Sequence, residues 1–237
     1  MLRSSLLLGA LVGLAASAHA STISINFVGY GGADGTLFSD EAAGVVSAAN
    51  WNNVRPDVES DINYSSGFLM DSAGSATSVT ISWLSIGPYY ISTGTATGDN
   101  VMYNGYLDNF GDSRTVTISG LSPTETYNIY LYSDGDNGTN SRTGTFTMGG
   151  VTTSITDDPG NFDGSFVEVS AGATGVGNYT VFTLTGSSSY DLTFHGNTSD
   201  DLPRAALNGI QIVSVPEPSL TLLGLLGLVP LLRRRRN

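Results

Sequence analysis

The chain has no cysteine and no lysine among its 237 residues, and it has only two histidines. Without thiols it forms no disulfide, thiolate nucleophile, Cys-ligated zinc site or iron–sulfur cluster. His19 falls in an N-terminal targeting segment, so the exported part keeps His195 alone and a multi-histidine metal site within one chain is excluded. No Gly-x-Ser-x-Gly elbow accompanies that histidine. Charged residues make up only 13%, and they are lopsided: 21 acids face 9 arginines, a formal net charge of −12. Long apolar runs are missing as well. The two that occur, Leu6 to Ala16 and Ser219 to Leu232, have 11 and 14 residues, fewer than the roughly 20 of a bilayer-spanning helix. What the chain has in quantity is Gly, Ser, Thr and Asn, the composition of an exported β-protein.

Both ends read as addresses. Met1-Leu2-Arg3, the apolar core Leu6–Ala16 and the small residues of Ala18-His19-Ala20 have the three-part pattern of a signal peptide cut before Ser21. Such a peptide directs the chain to the Sec translocon; the competing reading is an uncleaved anchor. At the other end stand Val215-Pro216-Glu217-Pro218, the apolar stretch Leu220–Leu232, and then Arg233, Arg234, Arg235 and Arg236. Four arginines stay cytoplasmic by the positive-inside rule, which leaves the rest of the chain outside. As a helix, the 14 residues from Ser219 reach about 21 Å at 1.5 Å per residue, short of the roughly 30 Å hydrocarbon core. Pro230, Gly224 and Gly227 weaken that helix further.

A Val-Pro-Glu-Pro motif, a short apolar helix and a terminal arginine cluster, in that order, resemble the PEP-CTERM sorting signal of Gram-negative bacteria. The likeness covers residues 215–237. It implies recognition by a membrane-embedded exosortase, cutting near Pro216-Glu217-Pro218, transient residence in the inner membrane, and passage to the cell surface or an exopolysaccharide matrix. It implies nothing about activity in the mature domain.

Residues 21–214 carry four arginines and twenty acids, a formal charge of −16. Such a surface repels nucleic acid and anionic lipid. Period-two alternation recurs along this stretch: Ile23/Ile25/Phe27, Val79/Ile81/Trp83, Val116/Ile118, Tyr127/Ile129/Leu131, Phe182/Leu184, Tyr190/Leu192/Phe194 and Ile210/Ile212. Turn residues separate the runs, and no sustained 3.6 period occurs. The pattern predicts an all-β fold, a single antiparallel β-sandwich or jelly roll. Ser119-Gly-Leu-Ser-Pro-Thr-Glu-Thr-Tyr127 is similar to the tyrosine corner of fibronectin-type sandwiches. The first and last strands are expected to pair, and with the glycine-rich exit at Gly29, Gly31 and Gly32 this loosely resembles galactose-binding-like jelly rolls.

Asp134-Gly-Asp136-Asn137-Gly138 is the densest polar cluster. Aspartates two apart in a glycine-rich turn can aim several oxygens at calcium, so Asp134, Asp136 and Asn137 are candidate ligands. A metal-free hairpin turn explains the same residues. Asp157-Asp158 and Asp200-Asp201 read as solvated loops or distant ligands. Trp51, flanked by Asn50, Asn52 and Asn53, is a candidate platform for a sugar ring, against core packing as the competing reading. Tyr89-Tyr90 after Pro88 is a further aromatic pair, Trp83 reads as core by its phase, and Arg204 as one half of an ion pair. Period two places His195 on the face of Asp191 and Thr193, a surface position.

No spacing singles out a catalytic carboxylate pair among so many acids. The residues therefore predict a non-enzymatic exported surface or matrix protein. The competing readings are a carbohydrate-binding module, assisted by calcium, that holds exopolysaccharide, and a polysaccharide-acting hydrolase or lyase.

Overall fold

Alternating side chains become strands wherever the pattern is strong. In the computed structural model, which describes residues 21–30, 35–55 and 63–216, the chain runs through β1 (Thr22–Phe27), β2 (Asn52–Val54), β3 (Tyr64–Ser65), β4 (Thr80–Trp83) and β5 (Gly87–Tyr90). A short helix, α1 (Gly98–Tyr103), precedes β6 (Gly105–Asn109), β7 (Arg114–Ser119), β8 (Thr126–Tyr132), β9 (Arg142–Met148) and β10 (Val151–Asp157). The last five are β11 (Thr174–Val176), β12 (Tyr179–Thr185), β13 (Ser189–Gly196), β14 (Ala205–Leu207) and β15 (Gly209–Val215). The signal segment and the tail from Glu217 onward, with Pro218, Leu220–Leu232 and Arg233–Arg236, lie outside the described residues.

Two sheets carry the fold, one ordered β12-β8-β15-β1-β2 and the other β11-β10-β9-β13-β7-β4-β3, with a small third sheet β14-β6-β5. Pairing is antiparallel except for β1 with β2 and β10 with β11. First and last strands do pair: Ile23 lies opposite Ile212 and Ile25 opposite Ile210. The inward rows of the two large sheets meet in one core. Ile25, Phe27, Ile129, Leu131, Phe182 and Ile210 come from the five-stranded sheet, and Ile81, Trp83, Val116, Phe146, Leu192 and Phe194 from the seven-stranded sheet. This is a β-sandwich with little helix. The tyrosine corner forms as well, since the Tyr127 hydroxyl accepts the Ser122 amide at 3.0 Å.

One feature of β1 departs from simple alternation. All six of its residues are buried, because the polar face of Thr22, Ser24 and Asn26 is covered too. The covering segment is held by side-chain hydrogen bonds. Asn26 Nδ2 donates to the Gly35 carbonyl and to Asn53 Oδ1, and Gln211 Nε2 donates to Ser24 Oγ and to the Val46 carbonyl. Polar residues of a strand thus serve as pins for a loop, although Asn26 Oδ1 is buried without a hydrogen-bond partner.

A second apolar cluster sits on that outer side: Leu37, Trp51, Val101, Met102, Tyr103, Tyr132 and Phe162. Tyr103 and Phe162 stack at 4.0 Å between centroids. Helix α1 supplies Val101, Met102 and Tyr103 to it, and its start is capped by Thr97, whose side chain accepts the Asn100 amide. Strand β15 ends at Val215, opposite Thr126, directly before Pro216. A proline has no amide to extend the ladder, so the sheet stops there.

Candidate functional site

The turn joining β4 to β5 and the turn joining β6 to β7 stand side by side and enclose an open groove. Two depressions, of about 450 and 560 Å³, share Ser85 and Arg114. Tyr89 and Phe110 face this region with 44% and 53% of their surface exposed, beside the exposed Leu84. Tyr89 leans on the buried Tyr106 at 5.5 Å. The guanidinium of Arg204 lies 4.1 Å from the centre of the Phe110 ring, a cation–π contact that fixes it. Arg204 is itself held by Asp108, the ion pair expected for it.

Local backbone rules shape the groove. Gly29 lets the end of β1 approach the Tyr89 carbonyl so closely that a Cβ would collide with it. Ser85, a non-glycine residue at φ 60°, holds the β4–β5 turn in the left-handed region while its amide donates to Asn63 Oδ1. Strain of this kind persists only where the surroundings over-determine it. Asn109 fixes the other turn, with Nδ2 donating to the carbonyls of Asp112 and Phe194. Asp112 and Arg114, 3.7 Å apart, provide exposed hydrogen-bonding groups at the rim.

A different cavity, of about 210 Å³, lies where the Asp134 loop meets the residues after β10. Asp134, Asp157, Asp158, Asn161 and Asp163 line it. Burial pushes the Asp134 carboxyl up to about 7, with the charge of Asp163 adding to the rise and the Phe162 amide working against it. Burial likewise pushes Asp157 up to about 8. There the nearby negative charge of Asp134 adds to the rise, and the Gly135 amide opposes it. Two carboxyls that avoid ionising together are the expected outcome of shared burial.

The sequence candidates fall out unevenly. Trp51 is 5% exposed, packs against Tyr132 and donates its indole N–H to the Ala48 carbonyl. It is a core residue and offers no platform to a sugar. Its neighbours are pins: Asn50 Nδ2 donates to the Ser72 carbonyl, and Asn52 Nδ2 to the carbonyls of Ser24 and Met70. Asp134 and Asn137 are buried together, but Asp136 is exposed and lines a separate recess with Tyr106 and Arg142. Asp134 shares its cavity with Asp157, Asp158 and Asp163 and not with Asp136. Of the aromatic candidates, Tyr89 is in the groove and Trp83 is core, as its phase predicts. Val215 belongs to β15. Phe110, Ser85 and Arg114 went unmarked in the sequence. The signal for Phe110 is an aromatic side chain set inside the turn-forming run Asn109-Phe-Gly-Asp-Ser113.

No protein-family model matches the chain, and no curated protein does. Among solved structures, a CBM35 from Cellvibrio japonicus Abf62 is 13% identical over 48% of this chain and 76% of its own, with a TM-score of 0.31. The CBM36-1 domain of a multidomain xylanase from the hindgut metagenome of Trinervitermes trinervoides is 14% identical over 59% of this chain and 99% of its own, at 0.28. A ruminal GH26 endo-β-1,4-mannanase is 11% identical at 0.30, and the chain spans 24% of that enzyme's length and matches it over 56% of its own.

Proposed function

We propose that this is an exported surface or extracellular-matrix protein whose β-sandwich holds a neutral polysaccharide without transforming it. The observation that carries the reading is the pair of half-exposed rings, Tyr89 and Phe110, on adjacent turns of one groove rimmed by Asp112 and Arg114. A pyranose ring has an apolar face of C–H bonds that packs on an aromatic ring, while its hydroxyls need donors and acceptors at the margin. A formal charge of −16 over residues 21–214 favours an uncharged glycan over an acidic one. Against catalysis stands the burial of the Asp134–Asp157 pair. A glycosidase needs carboxyls flanking the scissile bond, and the free Asp134 oxygen is shut off from solvent. The PEP-CTERM-like tail supplies delivery: an exosortase cuts near Pro216-Glu217-Pro218 and the domain is released to the surface.

Affinity electrophoresis in gels containing neutral polysaccharides tests the binding. Retardation by at least one such polymer is expected. Tyr89→Ala and Phe110→Ala should each weaken it about tenfold or more, the loss of one buried aromatic contact. Retardation unchanged in the double variant defeats the groove assignment. Delivery is tested separately by the intact mass of the surface-associated protein. The expected mass lacks Arg233–Arg236, whereas a mature species that keeps them in cells with a working exosortase defeats the sorting reading and leaves a plain anchor.

A further inference from the structure

The Asp134–Asn140 and Asp157–Asp163 segments clasp each other through a closed set of hydrogen bonds. The Gly135 amide donates to Asp157 Oδ2 at 2.8 Å, and the Gly160 amide to the Gly138 carbonyl at 3.0 Å. Asn137 Nδ2 donates to the carbonyls of Asp157 and Asp158 at 3.3 and 2.8 Å. The Phe162 amide donates to the Asp134 carboxylate. Within this clasp two acceptors are left over. Asp134 Oδ1 and Asn137 Oδ1 have no solvent contact and no hydrogen-bond partner. Their residues are 5% and 1% exposed, so bulk solvent does not reach them. The two Nδ2 bonds fix the Asn137 amide, and a flip that turned its oxygen toward a donor would lose both.

A buried oxygen that accepts nothing is among the least favourable groups in a folded protein, and an anionic one more so. Arg142 gives Asp134 no hydrogen bond, since it directs Nη1 to the Asp136 carbonyl. We infer that Asp134, Asn137 and Asp157 bind a calcium ion between the two loops. The donor set consists of carboxylate and amide oxygens with no nitrogen or sulfur, which selects a hard cation over zinc or copper. Among the described residues no three His, Cys, Asp or Glu side chains converge. The remaining positions therefore fall to neutral oxygens and to water from the adjoining cavity, a mixed and irregular shell that calcium accepts and magnesium tolerates poorly. The inference is independent of glycan binding, because the groove contains none of these three residues.

The test uses the purified protein stripped with EDTA and returned to calcium, magnesium or sodium at equal ionic strength. With calcium at about 100 times its dissociation constant, the melting temperature should rise by roughly 5–10 °C. Magnesium and sodium should give less than half that rise. Equilibrium dialysis at about 10 mM free calcium, above the dissociation constants of weak extracellular sites, should give one ion per chain. Asp134→Asn and Asp157→Asn should lose the ion and the shift, while Asp136→Asn keeps both. Equal melting temperatures in calcium and EDTA overturn the inference, as does an equal rise in magnesium or a shift that survives Asp134→Asn. Should the variants fail to fold, the wild-type dialysis decides: less than half an equivalent of calcium also overturns it.

Discussion

With EDTA present, the protein should lose stability as pH rises from 5 to 9. The sign follows from Asp134 and Asp157, whose folded values of about 7 and about 8 lie far above the 3.8 of a solvated aspartate. Between those limits the folded chain holds protons that the unfolded chain has released. Stability therefore falls as pH rises. The contribution is complete below about pH 4, declines through about 7 and 8, and is gone above them. Asp158 and Asp163 add negative charge at the site and Arg142 offsets part of it, so these neighbours tune the slope without reversing it. One unit corresponds to about 1.4 kcal/mol. For this pair the loss should amount to a few kcal/mol, on the order of 10 °C in melting temperature for a domain of this size. Melting curves at pH 5, 7 and 9 check the expectation. The Asp134→Asn, Asp157→Asn double variant should flatten the slope and, in EDTA at pH 9, melt above the wild type. A double variant with the wild-type slope would place the pH dependence in the other acids of this chain.

How far the residues alone disclosed this architecture depends on the range of the forces involved. Strand positions follow from alternation of apolar side chains, a local property. So does Tyr127, whose corner needs only a Leu, a Pro and the right spacing. The pairing of β1 with β15, by contrast, joins the two ends of the domain and was suggested only by likeness to jelly rolls. The polar face of β1 was legible as polar but not as buried, because Asn26 and Gln211 become pins only when residues 35–53 fold over them. Trp51 was ambiguous for the same reason. Asparagines surround a sugar-binding tryptophan and a buried one equally well, and burial here comes from α1, a helix of six residues too short to show a period. At the acid pair, spacing along the chain suggested Asp134 with Asp136. In an extended turn, adjacent alternate positions need not face one way, and the true neighbour of Asp134 is 23 residues on, brought back by the β9–β10 hairpin.

Replacing Asn208 should disrupt more of the molecule than any groove residue. Its side chain is fully buried between β14 and β15, and it serves three backbone groups from separate segments. Nδ2 donates to the carbonyls of Tyr103 and Gly105, both at 3.1 Å, and Oδ1 accepts the Asp134 amide at 2.7 Å. One amide thus joins the end of α1, the start of β6 and the acidic loop. Asn208→Ala leaves all three groups unpaired in a dry interior, at about 1–3 kcal/mol for each buried unsatisfied group, and adds a small cavity. A loss of about 4 kcal/mol is expected in urea unfolding. Asn208→Asp should be worse, since it keeps the acceptor but turns a charge toward two carbonyls. A loss below about 1 kcal/mol for the alanine variant would mean that the three segments hold their places without the amide. The two sites should also separate in this variant. Asp134 loses the bond that positions its backbone, so the calcium response should vanish in whatever fraction stays folded in the cold. The groove turn is tied instead by Asn109 to Asp112 and Phe194, so polysaccharide retardation by that same fraction should persist.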